Sequence, residues 1–122
     1  QSVGMAIWVE QEAQIDALTA VSGSGPAYYF LMMEAMIEGA MQLGLSKEVA
    51  KQLVLQTAAG AAQMAQQSDK SPAELRVVVT SPKGTTEQAL NTFEQGNFTE
   101  LCSKAMASAA HRSEELAQLF KA

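Results

Sequence analysis

The feature that most constrains the fold is a long segment between Pro26 and Gly44 that is apolar almost all the way round. Its strongly polar residues recur at every fourth position, at Glu34, Glu38 and Gln42, and therefore form one narrow stripe on a helix. A helix on the outside of a monomeric bundle needs an apolar face of only about 100°. The remaining surface must be covered on several sides, which predicts an oligomer interface. An adaptable, methionine-rich ligand groove is the alternative.

The composition predicts a helical domain. Alanine, leucine and methionine total 39 residues, against 11 for valine and isoleucine. The first group loses little rotamer freedom in a helix, whereas β-branched residues lose more. A chain of 122 residues is one domain in size. We therefore expect an all-α bundle of about five to six helices.

Several classes of function are disfavoured by charge and residue usage. The net charge of −5 argues against nucleic acid or an anionic membrane as the main partner. The longest apolar run, Pro26 to Met33, is too short to span a bilayer. With His111 as the single histidine, we expect no metal site and no Ser-His-Asp catalysis. Cys102 is the single cysteine, and we expect it to be buried. A lone thiol and the absence of a signal-like segment in Gln1 to Ile7 predict a cytoplasmic location.

The opening stretch from Ser2 to Glu12 differs from the rest, because Val3, Ile7, Trp8 and Val9 give it β propensity. A lone strand is not stable by itself, so this stretch predicts an orphan strand that pairs with a sheet outside the chain.

The helix boundaries are predicted by capping and turn residues. Ser46 is the expected cap of a helix from about Lys47 to Gln67, and Gly60 at its small-residue centre predicts a closely packed neighbour. Ser71 to Glu74 reads as a capping box with proline at the first helical position. The remaining boundaries are a tight turn at Ser81 to Gly84, a capping box at Thr85 and Gln88, a helix end at Gly96, and a last helix opening at Asn97 and ending near Phe120.

Two possible sites are unconvincing. Glu34 and Glu38 lie one helical turn apart, but no histidine joins them at the spacing that a metal-binding helix uses. The run Gly23 to Pro26 contains two glycines and follows a helical segment rather than a strand, so a hinge or helix cap is favoured over a dinucleotide fingerprint.

The strongest candidate site is the turn from Ser81 to Thr86. A glycine turn at a helix start presents free backbone N–H groups, here with hydroxyl groups and Lys83 nearby. The helix dipole adds about half a positive charge at that end. The turn is therefore suited to a carboxylate or a phosphate, although many capped helix starts bind nothing.

Two runs at matching separation resemble the pyrroline-5-carboxylate reductase family. Asp16 to Tyr28 is similar to the start of that family's C-terminal domain, and Thr80 to Thr86 resembles its loop Thr-Ser-Pro-Gly-Gly-Thr-Thr. Gly44-Leu45, Gly60 to Ala62 and Arg112 to Leu116 fit the same pattern. Lys83 departs from it by replacing the first glycine of the pair.

The resemblance implies the C-terminal part of an enzyme that reduces 1-pyrroline-5-carboxylate to L-proline, the last step of proline biosynthesis. NADPH or NADH is the implied cofactor, bound by an N-terminal Rossmann domain absent from this chain. Residues 1–13 are then a linker or last strand of that domain, and residues 14–122 the helical dimerisation and substrate-loop domain. The implied assembly is an intertwined homodimer, and in the full enzyme a decamer. We expect the fragment alone to be inactive.

The resemblance also implies residue roles. The N–H groups around Gly84, Thr85 and Thr86 would hold the substrate carboxylate. Ser81 would shape the loop and would also contact the carboxylate as a substrate-binding residue. The Thr86 hydroxyl would bond the ring nitrogen as the catalytic group. Lys83 would be strained if its position needs a positive φ, and would otherwise add a cation near the carboxylate. The alternatives are a non-catalytic helical oligomerisation module and a reductase of another cyclic imine.

Overall fold

The computed structural model describes residues 12–120, and within this range the backbone is helical with no strand. The predicted all-α fold is confirmed. The predicted orphan strand falls on residues 1–11, outside the described residues, except for Glu12, which begins the first helix. The elements are α1 (Glu12–Leu18), a π-helical turn (Thr19–Gly23), α2 (Gly25–Gln42), α3 (Lys47–Gln67), α4 (Pro72–Val78), α5 (Thr85–Gln95) and α6 (Phe98–Leu119).

Three predicted helix boundaries are confirmed by their hydrogen bonds or backbone angles. The Ser46 hydroxyl caps α3 by accepting from the Val49 N–H at 3.2 Å. Ser71 and Glu74 form the reciprocal capping box of α4, with the Ser71 N–H donating to Glu74 Oε1 at 2.8 Å and the Glu74 N–H donating to Ser71 Oγ at 3.1 Å. Gly44 follows α2 with a φ of 104°, a left-handed conformation that favours glycine.

Of two further boundaries, the start of α5 differs from the prediction and its end at Gly96 is confirmed. The capping box at Thr85 and Gln88 is wrong: the N-cap of α5 is Gly84, and no side chain caps it. Gly96 does follow α5, but its φ is −86°, and the left-handed position is taken by the next residue, Asn97, with a φ of 57°. Asparagine tolerates this conformation better than most residues because its short polar side chain bonds locally.

The run from Gly23 to Pro26, predicted as a hinge or helix cap, joins a widened helical turn to α2. The Ser24 N–H donates to the Thr19 carbonyl oxygen, five residues back, at 2.9 Å. The Thr19 hydroxyl donates to the Ile15 carbonyl oxygen and the Ser22 hydroxyl to that of Leu18, each at 3.0 Å. Both side chains therefore form hydrogen bonds with the preceding helical turn. Pro26 then occupies the first turn of α2, where its missing N–H has no helical partner to lose.

The described residues divide into two compact units, one of residues 12–27 and 99–120 and the other of residues 28–98. The hydrophobic residues buried in the described part are small: Ala20, Ala50 and Val54. Large apolar side chains are exposed instead, including Tyr29 (70%) and Met36 (42%) of α2. Full burial of such a side chain stabilises a protein by about 1.5–3 kcal/mol, so α2 has a large stabilising contribution still available from a partner surface.

Two predictions about small residues need correction or qualification. Cys102 is exposed, so the prediction that it is buried is wrong for the isolated chain. A Cβ built on Gly60 meets no heavy atom within 4 Å. The close neighbour predicted for Gly60 is therefore not supplied by the described part of this chain.

Candidate functional site

The candidate site is the turn that connects α4 to α5. The Gly84 N–H donates to the Ser81 carbonyl oxygen at 3.1 Å, which closes a tight turn over Pro82 and Lys83. Gly84 is then extended, with φ −92° and ψ −174°, and α5 begins at Thr85. The turn therefore presents the N-terminus of an 11-residue helix to solvent.

Three backbone donors at this helix start are unpaired. Among the described residues, no acceptor lies within hydrogen-bond distance of the N–H groups of Thr85, Thr86 and Glu87. These are the groups that a helix start leaves without an intrahelical partner. The predicted donor set was Gly84, Thr85 and Thr86, but the Gly84 N–H is used by the turn itself. The donors open to an anion are therefore those of Thr85, Thr86 and Glu87, one residue further along the chain than predicted.

Lys83 has a positive φ of 61°. A residue with a Cβ is disfavoured in this left-handed region by about 1–2 kcal/mol, whereas glycine is not. The position therefore needs a positive φ, and lysine is strained there. Within residues 12–120, no carboxylate lies within ion-pair distance of the Lys83 ammonium group, and the side chain is exposed.

Glu87 bonds back to the turn, a contact that the sequence analysis missed. The Lys83 N–H donates to Glu87 Oε1 at 3.1 Å, four residues along the chain. Glu87 lies in the first turn of α5, where a carboxylate is favoured by the helix dipole. The available signal was Glu87, an acidic residue three positions after the N-cap Gly84. The predicted capping box instead began one residue later, at Thr85.

The residues predicted to form the site all lie on this turn or at the start of α5. Ser81, Thr85 and Thr86 are all exposed, as an approaching ligand requires, and Gly84 is partly buried. A Cβ on Gly84 would lie 3.2 Å from the Ser81 carbonyl oxygen, closer than most real Cβ contacts. Glycine is therefore favoured at position 84 by space, because a Cβ would push the Ser81 carbonyl oxygen by a few tenths of an ångström, and not by backbone angle. The Thr86 hydroxyl has no acceptor among the described residues and is available to a ligand.

Other candidate sites in the described part are weaker. A groove of about 250 Å³ is lined by Met64 and Ala65 of α3, by Leu75 of α4 and by Val79, which follows α4. Its lining is almost entirely apolar, and no residue of the Ser81 to Thr86 turn contributes to it. Within residues 12–120, no three His, Cys, Asp or Glu side chains lie close enough to hold a metal ion. No helix in this range combines the length and hydropathy that crossing a membrane needs.

Comparison with known proteins shows the family to which the chain is similar. Residues 12–116 match the family model described as pyrroline-5-carboxylate reductase dimerisation. Over 117 residues the chain is 57% identical to the pyrroline-5-carboxylate reductase of Pseudomonas aeruginosa, covering 96% of this chain and 43% of that protein.

Solved structures give the same result. A pyrroline-5-carboxylate reductase from Coxiella burnetii superposes with a TM-score of 0.89 at 54% identity, covering 93% of this chain and 42% of that one. The Plasmodium falciparum pyrroline carboxylate reductase with NADP bound superposes with a TM-score of 0.83 at 36% identity, covering 87% and 40%. The chain thus spans about two fifths of the length of the relatives that it matches.

Proposed function

Because the chain belongs to the pyrroline-5-carboxylate reductase dimerisation family, we propose that it is the dimerisation and substrate-loop domain of an enzyme that reduces 1-pyrroline-5-carboxylate to L-proline. The observation that carries this proposal is the open N-terminus of α5, with three unpaired N–H groups beside the exposed Thr86 hydroxyl. The positive end of the α5 dipole is suited to binding the carboxylate that this substrate carries.

The carboxylate binds to the donors at the helix start. The N–H groups of Thr85, Thr86 and Glu87 lie at the positive end of the α5 dipole, where an anion is stabilised. Ser81 and Gly84 act through the turn, because the bond between them sets the direction in which α5 begins. These contacts fix the position of the ring relative to the reducing agent, and positioning is a large part of catalysis in such a reaction.

Thr86 is the proposed catalytic residue. Its hydroxyl donates a hydrogen bond to the ring nitrogen of the imine, orients the double bond and helps to deliver the proton that the nitrogen gains on reduction. Nothing in the described part of the chain competes for this hydroxyl. Threonine also supplies a backbone N–H at the same position, so one residue contacts both polar ends of the substrate.

Residues 12–120 do not fit a dinucleotide. The glycine-containing run near Gly23 is a π-helical turn that leads into α2, not a loop between a strand and a helix. We therefore place the NADPH or NADH site in a separate nucleotide-binding domain, with residues 1–13 as the connection to it and residues 14–122 as the helical domain. The exposed apolar surface of α2 supports an intertwined homodimer. We further propose that these dimers assemble into a decamer in the complete enzyme and that the enzyme is cytoplasmic.

The direct test mixes this chain with the separately expressed nucleotide-binding domain of the Pseudomonas aeruginosa relative. The oxidation of NADPH and of NADH is followed with pyrroline-5-carboxylate and, in parallel, with a six-membered cyclic imine. Activity that appears only in the mixture supports the proposal. A chain that forms dimers but gives no activity with either imine favours the non-catalytic oligomerisation module, and preference for the larger ring favours the other substrate.

Two threonines of α5 provide a matched pair of variants. Thr86→Ala is expected to lower kcat/KM about 100-fold, the size of effect that loss of a proton-delivering group produces, and Thr86→Ser is expected to recover most of it. Thr92→Ala is the control, because its hydroxyl bonds the Gln88 carbonyl oxygen within the same helix at 3.3 Å. Equal rates for Thr86→Ala and Thr92→Ala would exclude the role given to Thr86.

A further inference from the structure

We infer that Glu87 is a positioning residue for the substrate-binding turn, holding Lys83 in its left-handed conformation; this inference rests on the proposed function. The contact is the 3.1 Å hydrogen bond from the Lys83 N–H to Glu87 Oε1. It joins the strained residue of the turn to the first turn of α5, so the two ends of the donor-bearing segment are tied together.

The need for such a bond follows from the residue at position 83. A lysine with a φ of 61° is higher in energy than one with a negative φ, whereas a glycine has no such penalty. If Lys83 relaxed, the Ser81–Gly84 turn would open and α5 would lose its extended N-cap. The N–H groups of Thr85 and Thr86 would then no longer face one anion.

Glu87 is well placed to oppose this relaxation. It is partly buried and lies in the first helical turn, so its side chain starts from a rigid element. A carboxylate that accepts from a backbone N–H makes a stronger hydrogen bond than a neutral acceptor does. The bond is made to the residue whose backbone is strained, and the neighbouring Gly84 N–H is already paired with Ser81.

The charge of Glu87 works against the same substrate. A carboxylate near the helix start repels the carboxylate of pyrroline-5-carboxylate, whereas its hydrogen bond organises the donors. The two effects are separated by substitution: Glu87→Gln keeps a carbonyl oxygen as acceptor and removes the charge, and Glu87→Ala removes both. A positioning role therefore predicts that the alanine variant is worse than the glutamine variant.

The test is a double-substitution cycle in the mixture of this chain and the nucleotide-binding domain. Glu87→Ala is expected to raise the KM for pyrroline-5-carboxylate about three- to tenfold with little change in kcat, and Glu87→Gln to leave KM at or below the parent value. In a Lys83→Gly background, Glu87→Ala is expected to change KM less than about twofold, because glycine adopts a positive φ unaided. Glu94→Ala, on the same helix, is the control for loss of an exposed carboxylate.

A second readout does not depend on catalysis. In the 122-residue chain alone, Glu87→Ala is expected to speed hydrogen exchange of the Lys83 amide about tenfold or more, and Glu87→Gln to change it far less. Equal KM effects of Glu87→Ala in the parent and in the Lys83→Gly background would overturn the inference, as would an unchanged Lys83 amide. An inactive mixture with a responsive Lys83 amide would instead count against the proposed function and leave the Glu87–Lys83 contact established.

Discussion

The Ser113 hydroxyl donates a 2.8 Å hydrogen bond to Asp16 Oδ1, joining residues that are 97 positions apart in the sequence. Ser113 lies on α6 and Asp16 on α1, and both are partly buried. The acceptor is a carboxylate in a partly desolvated position, which strengthens the bond and raises the cost of leaving that carboxylate without a partner. This contact therefore fixes α1 against the last helix within one compact unit.

Ser113→Ala is expected to lower the free energy of unfolding by about 1–2 kcal/mol, because it leaves the Asp16 carboxylate short of a donor. The measurement is chemical denaturation at one fixed protomer concentration, since association also contributes to stability. Ser108→Ala on the same helix is the control: its hydroxyl bonds the Lys104 carbonyl oxygen locally and is exposed. Similar losses for the two variants would mean that the bond to Asp16 has no special weight.

The apolar surface of α2 predicts self-association. Tyr29 and Met36, two helical turns apart, lie opposite the stripe of Glu34 and Glu38 and are nevertheless exposed. We expect light scattering over a concentration series to show a dimer or a larger assembly. Met36→Glu should weaken that assembly at least about tenfold, because it places a charge in an apolar contact. Gln42→Glu, which adds the same charge to the polar stripe, should not; a folded parent monomer at all concentrations would refute the interface.

Lys83→Gly is expected to stabilise the chain. Glycine removes about 1–2 kcal/mol of left-handed strain from the folded state. Its larger conformational entropy in the unfolded state offsets about 0.5–1 kcal/mol of this stabilisation. The net increase in the free energy of unfolding should be about 0.5–1 kcal/mol, measured by denaturation. Lys83→Ala removes the same charge but keeps a Cβ, so it should show no such increase. An equal gain from alanine would assign the effect to the lysine side chain instead of the backbone.

Gly84→Ala is expected to impair substrate binding. The new Cβ would lie 3.2 Å from the Ser81 carbonyl oxygen, so that oxygen must shift by a few tenths of an ångström. We expect this shift to loosen the turn and to change the direction of the N–H groups of Thr85 and Thr86. We expect the KM for pyrroline-5-carboxylate to rise about tenfold or more in the two-domain assay. Gly96→Ala is the matched control, because its Cβ would meet nothing closer than the Phe93 carbonyl oxygen at 3.6 Å. An unchanged KM for Gly84→Ala would remove the turn from the binding site.

The α4 capping box predicts a specific pH dependence. The pKa of the Glu74 carboxyl lies below its ordinary value of 4.5. The larger cause is the hydrogen bond from the Ser71 backbone N–H, and the smaller is the hydrogen bond with the Ser71 hydroxyl. A carboxyl whose pKa is lower in the folded state stabilises that state above its unfolded pKa. The contribution is lost as the pH falls through the lowered folded value. Acidification below 4.5 should therefore weaken the cap of α4.

The measurement compares the parent with Glu74→Gln, whose side chain does not titrate. The difference between their free energies of unfolding should be largest near neutral pH and should shrink as the pH falls below about 4. A difference that stays constant across this range would show that ionisation of Glu74 does not contribute to the cap.

Much of the fold was predictable because helix ends are decided by neighbouring residues. Ser46 and Ser71 act on N–H groups three positions away, and the left-handed Gly44 ends α2, so their roles can be read from the sequence. The same locality explains why the candidate turn between α4 and α5 was predictable from its glycine and hydroxyl residues. Its exact start was missed, because Gly84 and Thr85 are both plausible caps, and only the bond between Gly84 and Ser81 distinguishes them.

The sequence by itself determined the all-α class, most helix boundaries and the position of the candidate site, since each depends on interactions over a few residues. The three-dimensional structure decided that the Lys83 backbone is left-handed and bonds to Glu87, that Cys102 is exposed and that Ser113 meets Asp16. These outcomes depend on how the backbone turns and which helices meet. Hydrophobic periodicity does not fix either, because many packings bury the same apolar faces equally well.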